Sequence, residues 1–292
     1  MEIISTLING LSSGGTYAMI ALGYTMVYGI AKMLNFAHGD IIMVGGYIMY
    51  VFLLTLKLNA PIAILAAVIF CVLLGIAVER FAYRPLRGAS PLAVLITAIG
   101  VSYLLQSLAL IVFGSSPKML SKLTVSGALK LGALSIDYST LITLLVAIIV
   151  MVSLTFFVKK TKTGRAMVAV SEDRDAAKLM GVNINFIIMI TFAIGSALAA
   201  LAGLFMLMKA PSLSNTFGAM PGIKAFTAAV IGGIGSIPGA MVGGILLGIV
   251  EAISFKIPVI APYTDAIEFS ILIVILLVRP AGILGKKRRE KV

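Results

Sequence analysis

The chain is a succession of apolar runs, each long enough to cross a bilayer, separated by short polar segments. A helix needs about 20 apolar residues to span about 30 Å of hydrocarbon. Runs of this kind lie at roughly 7–30, 40–56, 61–79, 92–113, 138–158, 185–208, 239–255 and 265–278, with a shorter, glycine-broken run near 221–236. Only 12% of the 292 residues are charged and 60% are hydrophobic, and the mean hydropathy is +1.12. A soluble fold averages about 25% charged residues, so this one would expose large apolar patches to water. The reading is an all-α polytopic membrane protein. The length suits a single membrane domain over 1–292. The start, Met1-Glu2-Ile3-Ile4, lacks the basic n-region of a cleaved signal, so the first run is expected to be retained as a span.

Charge sets the expected orientation. Arg80, Arg84 and Arg87 form one basic loop. Lys159, Lys160, Lys162, Arg165, Arg174 and Lys178 form a second. Arg279, Lys286, Lys287, Arg288, Arg289 and Lys291 flank the C-terminus. The positive-inside rule places all three in the cytoplasm. A cytoplasmic basic tail then requires the weak 221–236 run to cross as well. The expected count is about nine crossings, within a range of eight to ten, with the N-terminus outside. Under this arrangement 16 of the 23 Lys and Arg residues are cytoplasmic. The net charge of +12 therefore reads as topology signal and contact with anionic lipid, not as a nucleic-acid surface. The outside segment 114–137 is compatible with a small hairpin or an amphipathic helix.

Glycines recur at helical spacing in Gly10-xxx-Gly14, Gly239-xxx-Gly243 and Gly244-xxx-Gly248, and in Gly195, Ala199 and Gly203. Small residues on one face let helix backbones approach closely in a membrane bundle.

Three segments carry polar or irregular chemistry. Leu34–Asp40 holds Asn35, the chain's one histidine, His38, then Gly39 and Asp40. Polar groups at membrane depth mark substrate paths, but Asp40 also suits the N-cap of the following helix. The cytoplasmic loop, about 159–184, contains a helix expected to begin at Ser171 as N-cap and to run for about ten residues. Glu172 and Asp173 fall in its first turn, and Gly181 supplies the left-handed residue after its end. It suits either docking into a partner's groove or lying on the membrane surface. In Ala225–Gly239, the residues Gly232, Gly233, Gly235 and Pro238 break the helix. That break is either a tight turn or a lining of the translocation path.

Several chemistries are absent from the sequence. One cysteine, Cys71, and one histidine make no metal-ligand cluster. No phosphate loop or zinc-protease motif is present. No chain of carboxylates suggests a proton relay. An enzyme is not expected, no cofactor is expected, and any uphill transport would draw energy from another subunit.

These residues resemble the permease of branched-chain amino acid ABC importers, specifically the smaller, H-type subunit. The resemblance spans nearly the whole chain. It rests on Gly14-Gly15-Thr16-Tyr17-Ala18 with Ala21-Leu22-Gly23, on Leu34–Asp40, on Gly164-Arg165 followed by Asp175-Ala176-Ala177-xxx-Gly181, and on Ala225–Gly239. The Asp175 run is similar to the Glu-Ala-Ala-xxx-Gly signature with which bacterial import permeases contact their ATPases, with Asp175 in place of Glu. The resemblance implies that Gly164, Arg165, Glu172, Asp173, Asp175, Ala176, Ala177 and Gly181 belong to an ATPase-coupling helix. It implies that Asn35, His38, Gly39, Asp40, Gly232, Gly233 and Gly235 lie near the substrate path. It also implies a second permease of the M type, two ATP-binding subunits that use the ATP, an extracytoplasmic solute-binding protein, and location in the bacterial cytoplasmic membrane. Leucine, isoleucine and valine are the implied substrates. A urea or short-chain amide importer is the nearest alternative, and an ATPase-independent transporter or channel is the alternative from another class.

Overall fold

A computed structural model describes residues 2–131 and 134–285. Eleven α-helices lie among the described residues: α1 (Glu2–Ala31), α2 (His38–Tyr50), α3 (Ala60–Val78), α4 (Pro91–Phe113), α5 (Tyr138–Lys160), α6 (Lys162–Glu172), α7 (Arg174–Leu179), α8 (Ile184–Lys209), α9 (Ala219–Gly232), α10 (Ile237–Lys256) and α11 (Thr264–Val278). A π-helical turn, Val51–Thr55, extends α2, and π and 3-10 turns carry α3 on to Leu86. Seven helical stretches among the described residues are long and apolar enough to cross a membrane: His38–Thr55, Ala60–Leu86, Pro91–Phe113, Tyr138–Lys160, Ile184–Lys209, Ile237–Lys256 and Ala261–Val278. The chain is a multi-pass α-helical membrane protein.

Two of the expected spans stand apart from those seven. Helix α9 has 14 residues, or about 21 Å, less than the hydrocarbon thickness. Helix α1 has 30 residues but carries Asn9, Ser12, Ser13, Thr16, Tyr17, Tyr24 and Thr25 among its apolar side chains. It packs against α10, α8, α9 and α5, and Ala18 to Leu22 are completely buried. A helix shielded by protein on most sides needs less hydrophobicity than one facing lipid. Lipid-type surfaces lie instead on the flanks, where Leu65 and Leu73 of α3, Ile96 and Ile111 of α4, and Val152 and Phe156 of α5 are exposed.

The glycine faces hold the centre together. Gly14 of α1 meets Ile245 of α10 so closely that an added methyl would lie 2.7 Å from the Ile245 Cα. Gly244 and Gly248 press on the backbone of Ala18 and Gly14, while Gly239 and Gly243 of the same helix press on Gly232 and Ala228 of α9. The two glycine pairs of α10 thus serve two neighbours. On α8, Gly195 faces Gly23 and Gly203 faces Ile42.

The segment 114–137 forms strands: β1 (Lys118–Met119), β2 (Ala128–Leu131) and β3 (Leu134–Asp137). Strands β2 and β3 pair antiparallel, with Leu129 opposite Ile136. Strand β1 pairs with β4 (Ser212–Leu213), which follows α8. Of the two forms the sequence allows, this segment is a hairpin.

Candidate functional site

The link from α1 to α2 turns back into the bundle. Helix α1 ends at Ala31, yet His38, only seven positions later, packs beside Gly23, two turns up the same helix. Asn35 is buried, and its side-chain oxygen accepts a hydrogen bond from the Tyr83 hydroxyl at 3.0 Å. The imidazole of His38 is bonded to the Ile20 backbone and stands edge-on to Tyr24, with ring centroids 4.8 Å apart. It is 1% exposed, and its Nε2 has no hydrogen-bond partner. A methyl on Gly23 would lie 2.6 Å from His38 Cε1, so that glycine makes room for the ring.

Asp40 is not the N-cap. Ala37 takes that position without a side-chain cap. The Asp40 carboxylate instead accepts a hydrogen bond from Gln106 Nε2 of α4 at 2.8 Å. A carboxylate buried between two helices takes the side-chain donor that the neighbouring helix brings to it. It still lies in the first turn of α2, where the helix dipole favours an acid.

Gly39 places the start of α2 against the start of α9. It packs on Gly218 and on Gly222, whose Cα is 3.3 Å from the methyl that Gly39 lacks. Two helix N-termini therefore converge inside the bundle, each entered through a non-helical segment. Around them stand Tyr24, Phe36 and Phe226, with ring centroids 5.8 Å apart for Tyr24–Phe226 and 5.4 Å for Phe36–Phe226. The free N–H groups of a helix N-terminus make such a place favourable for a carboxylate.

Gly232, Gly233 and Gly235 lie at the other end of α9. Gly233 and Gly235 have φ of +108° and +94°, which suits residues without a Cβ. Ser236 caps α10 by accepting from Gly239 N at 3.2 Å. The 279–285 segment docks here, with Ile283 N donating to Ile231 O and Leu284 N to Gly232 O, each at 2.9 Å. Gly235 faces Gly29 near the end of α1. These glycines build a tight turn between two packed helices and are not brought together with Asn35–Asp40.

The basic loop contains two helices where the sequence suggests one. Ser171 does not begin a helix; it lies in α6, its hydroxyl donating to Val168 O at 2.7 Å. Asp173 is the cap of α7, its carboxylate accepting from Asp175 N and Ala176 N, both at 3.0 Å. Glu172 closes α6, and α7 has six residues instead of about ten. Its end matches the expectation. Gly181 has φ +81°, with Gly181 N bonded to Lys178 O and Val182 N to Ala177 O, both at 3.0 Å, a Schellman arrangement. Ala177 is buried, whereas Leu179 and Met180 are 89% and 84% exposed. Arg165, Glu172, Asp175 and Ala176 are exposed, and Gly164 is buried against Phe157 and Val158. Thr161 starts α6, accepting from Gly164 N at 2.9 Å.

Arg174 ties this surface to the bundle. Its guanidinium donates to the carbonyls of Ile30, at 3.3 Å, and Ala31. Those carbonyls lie in the last turn of α1 and lack intrahelical partners. Burial, with Arg87 nearby, pushes the Arg174 guanidinium below its ordinary range. Arg87 in turn pairs with Glu79 and donates to Asn185 at the start of α8.

A third group escaped the sequence reading. Lys224 of α9 lies 3.0 Å from Glu251 of α10, 2.8 Å from Asp265 of α11 and 3.3 Å from Glu268 of α11. The Tyr17 hydroxyl of α1 donates to Glu251 at 2.8 Å. Carboxylates thus gather around one lysine although no chain of them is legible in the sequence. Glu251 stands in one apolar run and Asp265 and Glu268 in another, and only the packing of α9, α10 and α11 gathers them around Lys224. Their presence inside such runs was the available signal.

Residues 6–276 match the family described as the branched-chain amino acid transport system / permease component. The chain belongs to this family. The high-affinity branched-chain amino acid transport system permease protein BraD of Pseudomonas aeruginosa is 44% identical to it, over 99% of this chain and 98% of BraD. The protein of the same description named LivH in Escherichia coli is 40% identical, over 100% of this chain and 98% of LivH. The fructose import permease protein FruG of Bifidobacterium longum is 25% identical, over 98% of this chain and 91% of FruG. The likeness to BraD and LivH therefore runs from end to end of this family member.

Proposed function

We propose that this chain is the H-type permease subunit of an ATP-binding cassette importer that carries leucine, isoleucine and valine across the bacterial cytoplasmic membrane. The full-length identity to BraD and LivH carries this reading. In it the chain pairs with an M-type permease, stands on two ATP-binding subunits, and receives solute from an extracytoplasmic binding protein. The basic α6–α7 loop and the C-terminus face the cytoplasm, and the strands face outward. Helices α1 and α9 join the seven strong spans to make nine crossings, the short α9 being completed by the 210–218 segment.

Each part of the site has a task in this reading. The ATPases dock on α7, with Leu179 and Met180 at its C-terminal end as exposed apolar anchors just beyond Lys178. Exposed apolar side chains on a short helix suit a partner's groove. ATP-driven closure moves α7, and Arg174 passes the motion to the end of α1. The substrate carboxylate passes the paired N-termini at Gly39 and Gly218–Gly222, beside Asn35, His38 and Asp40. Transport then follows because ATP and solute bind the inward- and outward-open states differently.

The test is uptake of radiolabelled leucine by proteoliposomes holding the complete importer, with binding protein outside and ATP inside. The wild-type importer should concentrate leucine only when ATP is present. Leu179→Asp with Met180→Asp should abolish uptake and binding-protein-stimulated ATPase activity while leaving membrane insertion intact. Ala177 is a poorer probe, because a charge at that buried position would disturb the fold of the loop itself. Uptake without ATP, or normal stimulation of the double variant, would refute the reading. Impermeant maleimide labelling at Ser121→Cys and Leu179→Cys checks orientation: only the former should react from outside.

A further inference from the structure

Helices α5 and α10 both pack against α1, and near the end of α5 they leave a groove between them. Its volume is about 320 Å³, within the roughly 300–1,000 Å³ of ordinary ligand pockets. Met151, Val152, Thr155 and Phe156 of α5 line it, Met241 comes from α10, and Lys159 and Lys160 stand at one end. The α5 positions recur at helical spacing, so they form one stripe of about 14 Å from Met151 to Lys160. Thr155 is the one polar side chain before the lysines, and its hydroxyl donates to Met151 O at 2.8 Å within its own helix. The groove therefore presents carbon and sulfur surface until it reaches two ammonium groups.

Other basic residues of the bundle have protein partners: Lys224 has three acids, Arg87 has Glu79, and Arg174 has the carbonyls of Ile30 and Ala31. Lys159 and Lys160 are exposed, and among the described residues neither makes a hydrogen bond or ion pair. Lys162 and Arg165, exposed in the first turn of α6, add two more positive charges, and no Asp or Glu occurs from Tyr138 to Ser171. A matching occupant is apolar along its length and anionic at one end. A soluble anion would leave the apolar trough unfilled, and a neutral lipid would leave the charges unmatched. An anionic phospholipid supplies both an acyl chain and a phosphate. Its surroundings fit as well. Val152 and Phe156 are exposed on the flank of the bundle, and Lys160 is the last residue of a membrane-length helix, the depth at which headgroups begin. Basic pockets between helices at that depth hold phospholipid headgroups, and lysine stems lie along apolar surface while their ammonium groups reach the headgroup layer.

We propose that the groove between α5 and α10 binds one anionic phospholipid, with an acyl chain along Val152, Phe156 and Met241 and the phosphate at Lys159 and Lys160. This is a site for a single molecule, distinct from the diffuse attraction of basic loops to a membrane surface. The headgroup rests on the joint between α5 and α6. Thr161 makes that joint, its hydroxyl donating to Phe157 O at 2.7 Å and accepting from Gly164 N at 2.9 Å. A phosphate there offsets the repulsion among four cations crowded where the chain turns toward the α7 surface. The site depends on neither the transported solute nor the ATPases; only its assignment to the cytoplasmic leaflet rests on the orientation proposed above.

The experiment uses the assembled complex that contains this chain, purified in detergent, stripped of lipid and titrated with dioleoyl phosphatidylglycerol or dioleoyl phosphatidylcholine. Native mass spectrometry counts the lipids retained. The wild type should keep one phosphatidylglycerol per copy of this chain at concentrations where phosphatidylcholine is lost. Lys159→Gln with Lys160→Gln should weaken that retention roughly thirtyfold, the contribution of two lysines at an anionic surface. Both positions are exposed, so the fold is kept. Met241→Trp leaves every charge in place but fills the groove, and should weaken retention as well. Equal affinity for the two lipids, or unchanged retention in the double lysine variant, would overturn the site. Retention lost with the lysines but unchanged in Met241→Trp would also overturn it, leaving attraction to surface charge only. A photoreactive p-benzoylphenylalanine placed at Val152 then identifies the occupant in native membranes: cross-links to phospholipid support the site, and cross-links to a second permease subunit overturn it. Phosphatidylglycerol retained by a complex that moves no branched-chain amino acid would leave this site standing and remove the permease reading.

Discussion

Replacing Gly14 by alanine adds one methyl group at the closest approach of α1 and α10. The ideal Cβ would lie 2.7 Å from Ile245 Cα and 3.0 Å from the carbonyl oxygens of Gly244 and Ile245. Ordinary contact begins at 3.4 Å, so the helices must part by about 0.7 Å. Both obstructing surfaces are backbone, so no rotamer change relieves the clash. Overpacking costs about 1–3 kcal/mol, and a rigid backbone wall puts this site at about 3. Separation also weakens the remaining dispersion contacts, since a gap of about 0.5–1 Å forfeits a quarter to a half of each. Alanine returns about 1 kcal/mol of helix propensity, leaving a net loss of about 2 kcal/mol. Gly100 of α4 is the control. It is exposed and helical, with nothing within 4 Å of its added methyl. There the same substitution should stabilise by about 1 kcal/mol. Fluorescence-detected size exclusion after heating should show Gly14→Ala melting several degrees below wild type and Gly100→Ala at or above it. Equal midpoints for the two variants would refute the claim that α1 and α10 meet backbone to backbone.

Three further outcomes follow from the same contacts. Lys224→Met leaves Glu251, Asp265 and Glu268 facing one another and should destabilise by about 3–5 kcal/mol; adding Glu268→Gln should restore part of that loss in the same melting assay. Gly23→Ala should displace the His38 ring, and combining it with His38→Ala should recover stability, giving a coupling of about 1 kcal/mol or more in a double-mutant cycle. Arg174→Ala strips the Ile30 and Ala31 carbonyls of their donor, which costs about 1–3 kcal/mol locally; hydrogen exchange should quicken over residues 28–31, and Arg174→Lys should slow it again in part.

Hydropathy is a local property, so the long spans were readable residue by residue, and so was the Gly181 ending of α7. The cap of α7 was not. Ser171 and Asp173 both suit an N-cap, and the choice depends on α6 continuing through Glu172, which occupies the Ser171 hydroxyl with Val168. Asp40 misled in the same way, since its partner, Gln106, comes from a different span. The ionic cluster was hidden for a further reason. Lys224 and Glu251 each occur singly within apolar stretches, Asp265 and Glu268 share a third, and helical period gives no register between one helix and the next. The link of Arg174 to α1 joins positions more than 140 residues apart, a relation that only the folded chain creates. The N-termini meeting at Gly39 and Gly218 belong to the same class: the sequence marked one broken segment but not its counterpart before α9.

The polar character of α1 bears on how this protein is made. Its neighbour α10 ends at Lys256, 225 positions after Ala31. At about 5–20 residues per second, roughly 10–45 s of synthesis separates the two. During that interval α1 lacks the helix that covers the largest part of its polar face. Helices α5 and α8 are made before α10, so the cover of α1 is completed in stages and closed last by α9 and α10. The centre of the bundle is therefore closed by contacts between the two ends of this sequence.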